Sequence, residues 1–228
     1  RELPFKASYE SGADDLVQDF YVPVLDCSAS YDRIAGFFSS SSLAIAARGL
    51  AGLIENRGHM RLIASPNLSP EDARIIAASP DSEEAFFEGR LLAELEQIRT
   101  EFERDHIQAL GWMLANGYLE IRLAYGTGND PAQPEKKLFH QKVGILTDLE
   151  GNTLSFSGSI NESASGWLDN IEEFKVFRAW CPGQEEFYQA DKRRFEEFWH
   201  GARKHVRVVD IPKAVRERLI QESQGFSA

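Results

Sequence analysis

The sequence predicts an α/β domain, with a mixed sheet and helices packed on both of its faces. Three observations point there. Short apolar runs alternate with helical periodicities over the first half of the chain. Several strand-like runs then follow one another, separated mainly by turns or loops. A helix, a strand and a helix close the chain.

The elements follow in order. "GADDLVQDFYVPVLDC" reads as a first helix, broken near Pro23, because proline lacks the amide a helix interior needs. "YDRIAGFF" is a strand. "SSSSLAIAARGLAGLIENRG" reads as a helix capped by serine and closed by Gly58. "HMRLIAS" is a second strand. "SPEDARIIAAS" opens with a serine, a proline and two acids, as a helix start does. Residues 82–115 carry a long helical pattern that divides into two pieces. "LEIRLAYG" is a strand, and 126–137 is a loop rich in breakers. "LFHQKVGILTD" and "NTLSFSGS" are strands joined by a turn at Glu150–Asn152, and "EEFKVFRAW" is another. A helix over 184–200, a strand "HVRVVDI" and a helix "PKAVRERLIQE" end the pattern. There is no internal repeat, and residues 1–228 read as a single domain, a fragment or module of a larger protein.

Composition narrows the function classes. Hydrophobic residues make up 43% and charged residues 27%, an ordinary globular balance. No apolar run approaches the roughly 20 residues a membrane helix needs; the best, "LAIAARGLAGLI", is interrupted by Arg48. We therefore expect no membrane association and a cytoplasmic location. Two cysteines, Cys27 and Cys181, make no disulfide framework. A net charge of −11 argues against a broad basic grip on DNA but leaves room for a local phosphate pocket. The acidic clusters in 82–104 and 182–197 read as solvated helix faces.

Chemistry concentrates in three neighbouring strands. In "FHQKVGIL", alternation puts His140, Lys142 and Gly144 on one face of a strand that is otherwise apolar. Burying two ionisable groups there is costly unless something needs them. Gly144, lacking a side chain, would allow a close approach. In "TLSFSGSIN", Ser155, Ser157 and Ser159 share one face and Asn161 continues the polar line, offering neutral donors suited to a phosphate. Taken alone, that segment also reads as a strand end running into a turn. In "NIEEFKVFRAW", Glu172 shares its face with Phe174 and Val176, while Glu173 shares its face with Lys175. A carboxylate in such company suits a histidine partner, whose tautomer it would fix.

Together these pieces resemble the phospholipase D superfamily signature: His-x-Lys, an aspartate, Gly-Ser-x-Asn and a glutamate. Here it is carried by His140, Lys142, Asp148, Gly158, Ser159, Asn161 and Glu172. The stretch "YDRIAGFFSSSSLAIAARGLAGLIENRGHMRLIASPNLS" is similar to the start of bacterial phospholipase D-like nuclease domains. Those domains often precede superfamily 2 helicases in restriction and phage-defence systems. One departure stands out. The usual spacing would place the aspartate at Thr147, so Asp148 comes one residue late and is not carried over as a site residue.

The resemblance implies a phospholipase D-like fold and a nuclease in which His140, Lys142, Ser159, Asn161 and Glu172 are catalytic. It implies metal-independent chemistry with no cofactor. One histidine attacks phosphorus, and a second protonates the leaving oxygen and then activates water. ATP would enter only through a fused or associated helicase. This chain holds one His-x-Lys; "HMR" at His59 and "HVR" at His205 have arginine instead and read as strand-end or surface residues. The second half-site is then expected from an identical chain, in a homodimer with one composite site on its axis. Trp167 and Asn170 are candidate rim residues, and "GFFSSSSL" is either a further phosphate contact or a helix cap over Phe37 and Phe38. DNA is the expected substrate. The alternatives are a non-catalytic dimerisation or DNA-positioning module and a phospholipid-acting phosphodiesterase.

Overall fold

The computed structural model describes residues 3–38, 43, 47, 49–66, 72, 75–76, 82–97, 101–127, 142–158 and 173–224. Eight strands form one sheet: β1 (Ser8–Glu10), β2 (Ser28–Phe37), β3 (His59–Ser65), β4 (Leu119–Gly126), β5 (Val143–Asp148), β6 (Thr153–Gly158), β7 (Glu173–Arg178) and β8 (Val206–Asp210). Their order is β1-β7-β6-β5-β2-β3-β4-β8. β2, β3 and β4 are parallel, and every other pairing is antiparallel. The mixed sheet follows from the connections. Parallel neighbours need long crossovers, whereas β5 and β6 need only the turn at 149–152.

The helices are α1 (Val17–Leu25, opening as a π-helical turn over Val17–Tyr21), α2 (Leu50–Glu55), α3 (Glu83–Leu95), α4 (Glu101–Ala115), α5 (Glu185–Trp199) and α6 (Lys213–Glu222). Two expectations need correcting. α1 is not broken at Pro23. The Val22 amide reaches back to the Val17 carbonyl and closes the π-helical turn, and Pro23 follows where the chain passes from that turn into α-helix. The helix expected over 39–58 is not continuous either, since Gly49 has φ 70° and caps the start of α2. Strand β1 escaped the sequence pattern because three residues are too few to show alternation.

The sheet separates two apolar clusters. Tyr31 and Ala35 of β2 face the larger one, with residues of α1, α2, α3, α4 and α6. Ile34 faces the other, together with Ile63, Val143, Ile145 and the underside of α5. α5 reads as amphipathic for a clear reason. Tyr188, Asp191, Phe195, Phe198 and Trp199 recur at helical spacing and are its buried residues. Each such aromatic contributes on the order of 2–3 kcal/mol of burial.

Arg61 clamps α5 to the sheet. Its guanidinium donates to both oxygens of Asp32, at 2.7 and 2.6 Å, and to Glu196 Oε1 at 2.7 Å. It also lies 4.8 Å from the Phe195 ring centroid and 5.2 Å from that of Trp199. The hydrogen bond from Arg61 holds the Glu196 carboxyl below its usual range. Arg61→Met is expected to cost about 2 kcal/mol, because two partly buried carboxylates lose their shared cation. Chemical denaturation of both proteins measures this, and an unchanged midpoint would show the clamp to be idle.

Candidate active site

Lys142 immediately precedes β5, and its carbonyl accepts the Gly158 amide at 3.3 Å. Gly158 in turn stands opposite Phe174. Lys142, Gly158 and Phe174 therefore form one row across β5, β6 and β7, at the end of the sheet where β2 and β3 also finish. Ser159 directly follows Gly158, Glu172 directly precedes β7, and His140 lies two residues before Lys142. His140, Ser159, Asn161 and Glu172 themselves lie outside the described residues, as do Trp167, Asn170 and most of the 126–137 loop. Of "GFFSSSSL", Phe38 is buried and its amide donates to the Ser65 carbonyl at 2.7 Å.

Lys142 is only 6% exposed. Val143 belongs to the α5 side, so alternation turns Lys142 and Gly144 to the opposite face. The space beside Gly144 goes to a neighbouring side chain. A Cβ there would lie 2.1 Å from Cε1 of Phe156. Across from Gly144 stands Arg33, 1% exposed, with its guanidinium 5.0 Å from the Phe156 ring centroid. Sequence reasoning passed over Arg33, although it carries the same signal as Lys142: a cation in the middle of a buried strand.

Ser155 and Ser157 are corrected as candidate phosphate donors. They stand opposite Ile145 and Val143, on the α5 face, away from Lys142. Ser155 Oγ donates to Asp191 Oδ2 at 2.8 Å, and Ser157 also hydrogen-bonds that carboxylate. Their hydroxyls satisfy a buried acid of α5. Burial pushes the Asp191 carboxyl up, against the opposing pull of Ser155, Arg194 and Ser157. A carboxyl raised in the folded state favours folding most below its ordinary value, and that contribution fades as pH rises through the raised one. Asp191→Asn keeps an acceptor for Ser155 without the charge. Its stability relative to wild type is expected to improve from pH 4 to pH 7. Thermal unfolding across that range checks it, and a gap independent of pH would contradict the assignment.

Asp148 has a local structural task. Its Oδ1 accepts the amides of Glu150 and Asn152 at 2.9 and 2.7 Å, and its Oδ2 accepts Asn152 Nδ2 at 2.8 Å. Burial opposes its ionisation, but the bonds from Asn152 and Glu150 hold the carboxyl below its usual range. It caps the β5–β6 turn, at the far end of β5 from Lys142.

Along β7 the expected alternation is present. Phe174 and Val176 are buried on the face of Lys142, while Glu173 and Lys175 pair with each other at the surface. His59 begins β3 and lies 3.4 Å from Glu120, and His205 is exposed.

No protein-family model matches the chain, and no curated protein matches it. Among solved structures it is similar to Nuc, a phospholipase D family member from Salmonella typhimurium, at 12% identity and a TM-score of 0.46, over 89% of this chain and 96% of that one. It is similar to the phosphatidylserine synthase of Haemophilus influenzae Rd KW20 at 14% identity and a TM-score of 0.47, over 95% of this chain and 45% of that one. It is also similar to TrmBL2, an archaeal chromatin protein, at 10% identity and a TM-score of 0.41, over 86% and 53%. Among the described residues, no helix is long and apolar enough to cross a membrane.

Proposed function

We propose that this chain is a phospholipase D-like phosphodiesterase that cleaves DNA without a metal ion, as the nuclease module of a helicase-coupled restriction or phage-defence system. The observation that supports the reading is that Lys142, Gly158 and Glu173, the described residues flanking the signature segments, stand at one end of the sheet. The buried ammonium of Lys142 stands in that row.

The His140 imidazole attacks phosphorus, forming a P–N bond as the P–O bond to the leaving strand breaks. The second histidine, from an identical chain, gives its proton to the departing oxygen. It then takes one from water, whose oxygen displaces His140 and regenerates the enzyme. Lys142, Ser159 and Asn161 stabilise charge on the non-bridging oxygens, and Glu172 orients the imidazole. The test is plasmid cleavage in EDTA, with and without ATP and a helicase partner. Cleavage is expected to persist in EDTA. Cleavage that requires Mg²⁺ and survives His140→Ala would sink the mechanism. A folded dimer inert under every condition would favour the non-catalytic module instead.

A further inference from the structure

We propose that the cavity at the turn end of β5 and β6 is a docking site for a peptide segment of a partner protein, one that places apolar side chains beside a lysine or arginine. The inference is independent of the phosphodiester reading and concerns the other end of β5 from Lys142. The cavity holds about 600 Å³, within the size range of ligand sites. Four separate stretches wall it: the chain before β1, the chain joining α1 to β2, the β5–β6 hairpin and the residues just after β7. Leu146 and Leu154 stand opposite each other across β5 and β6 and form part of its apolar wall, with Phe5, Leu149 and Trp180. The Phe5 and Trp180 rings lie 6.1 Å apart, which ties the chain before β1 to the chain after β7. The Leu149 amide donates to the Cys27 carbonyl at 3.2 Å, which ties the hairpin turn to the start of β2.

Two observations choose the occupant. Leu149 is 65% exposed, so the apolar wall runs out past the mouth of the cavity, and covering it takes a partner wider than a small molecule. Charge is the other. Among the described residues the lining holds three carboxylates, Asp26, Asp148 and Glu150, and no lysine, arginine or histidine. Asp148 is committed to its turn bonds. Asp26 and Glu150 are exposed, and neither is in an ion pair with a described residue. The described basic side chains that flank the lining are engaged elsewhere: Lys6 pairs with Asp14, and Arg178 donates to Gln184. Such a rim repels a phosphate and attracts a cation carried beside an apolar group.

The test uses the full chain and three tetrapeptides, acetylated and amidated at their ends: Lys-Phe-Leu-Lys, Lys-Gly-Gly-Lys and Glu-Phe-Leu-Glu. Binding is read by calorimetry and by protection of Cys27, an exposed thiol that lines the cavity, from alkylation. Lys-Phe-Leu-Lys is expected to bind saturably below about 1 mM and to slow the alkylation of Cys27. Asp26→Asn combined with Glu150→Gln should weaken it roughly fivefold, since each exposed pair contributes little alone. Leu149→Ser should weaken it roughly fivefold as well, by removing apolar contact. All three side chains are exposed, so these variants are expected to unfold at the wild-type temperature. Lys-Gly-Gly-Lys measures the general attraction of a cation to a chain of net charge −11. Equal binding of that peptide, binding of Glu-Phe-Leu-Glu as tight as that of Lys-Phe-Leu-Lys, or no saturable binding of Lys-Phe-Leu-Lys overturns the proposal. Phenethylamine binding as tightly as Lys-Phe-Leu-Lys would make a free amine the occupant and overturn the peptide reading. Self-association of the chain that these substitutions abolish would make a second copy the occupant and overturn it too.

Discussion

His140→Ala is expected to reduce DNA cleavage by at least roughly 10³-fold while leaving the unfolding transition in place. Removing a covalent nucleophile removes the reaction path itself, whereas removing one stabilising donor removes only part of the transition-state binding. Lys142→Ala should be nearly as damaging to cleavage, but for another reason. In the proposed mechanism its cation stabilises charge that develops on the phosphoryl oxygens. Truncating a side chain only 6% exposed also leaves a cavity in the core, so that variant is expected to be less stable as well. The composite-site reading adds a sharper expectation. When wild-type and His140→Ala chains are co-expressed in equal amounts, only dimers with two wild-type chains carry both histidines. Random assortment makes these about a quarter of the population, so activity per total protein should fall to about a quarter of the all-wild-type value. A value near one half would mean that each chain cleaves with its own histidine, and the shared site would be wrong.

What the sequence made legible was periodicity. Alternation along β5, β6 and β7, and the helical spacing in α5, identified those elements and the faces of Phe174, Val176 and Lys142. What it hid was pairing. Ser155 and Ser157 were grouped correctly on one face, but only the β5–β6 register shows that this face looks toward Asp191 and away from Lys142. Asp148 stands one residue after the place the signature spacing gives, and the structure shows it making three turn bonds to Glu150 and Asn152, a local role that spacing alone does not reveal. Gly144 was correctly read as a point of close approach. The identity of what approaches, Phe156 from the neighbouring strand, is a cross-strand fact that no single segment contains. Arg33 was legible in principle, because a buried strand with one cation poses the same question wherever it occurs.

Gly144→Ala is expected to destabilise the fold by about 3 kcal/mol, the upper part of the usual range for overpacking a core. The added methyl would sit 2.1 Å from Cε1 and 2.2 Å from Cζ of Phe156, so the ring must move. It has nowhere to go. Phe20 meets it edge-on at 5.2 Å between centroids, Phe174 lies 5.2 Å away, Tyr21 5.6 Å, and the Arg33 guanidinium lies 5.0 Å from its centroid. For a domain of this size, 3 kcal/mol lowers the melting temperature by roughly 6–12 °C. Phe156→Leu, which shortens the obstructing side chain, should recover part of the loss when combined with Gly144→Ala, giving a favourable coupling on the order of 1 kcal/mol. Thermal and denaturant unfolding of the two single variants and the double variant measure that coupling. Strict additivity would show that the ring is not what fills the space beside Gly144.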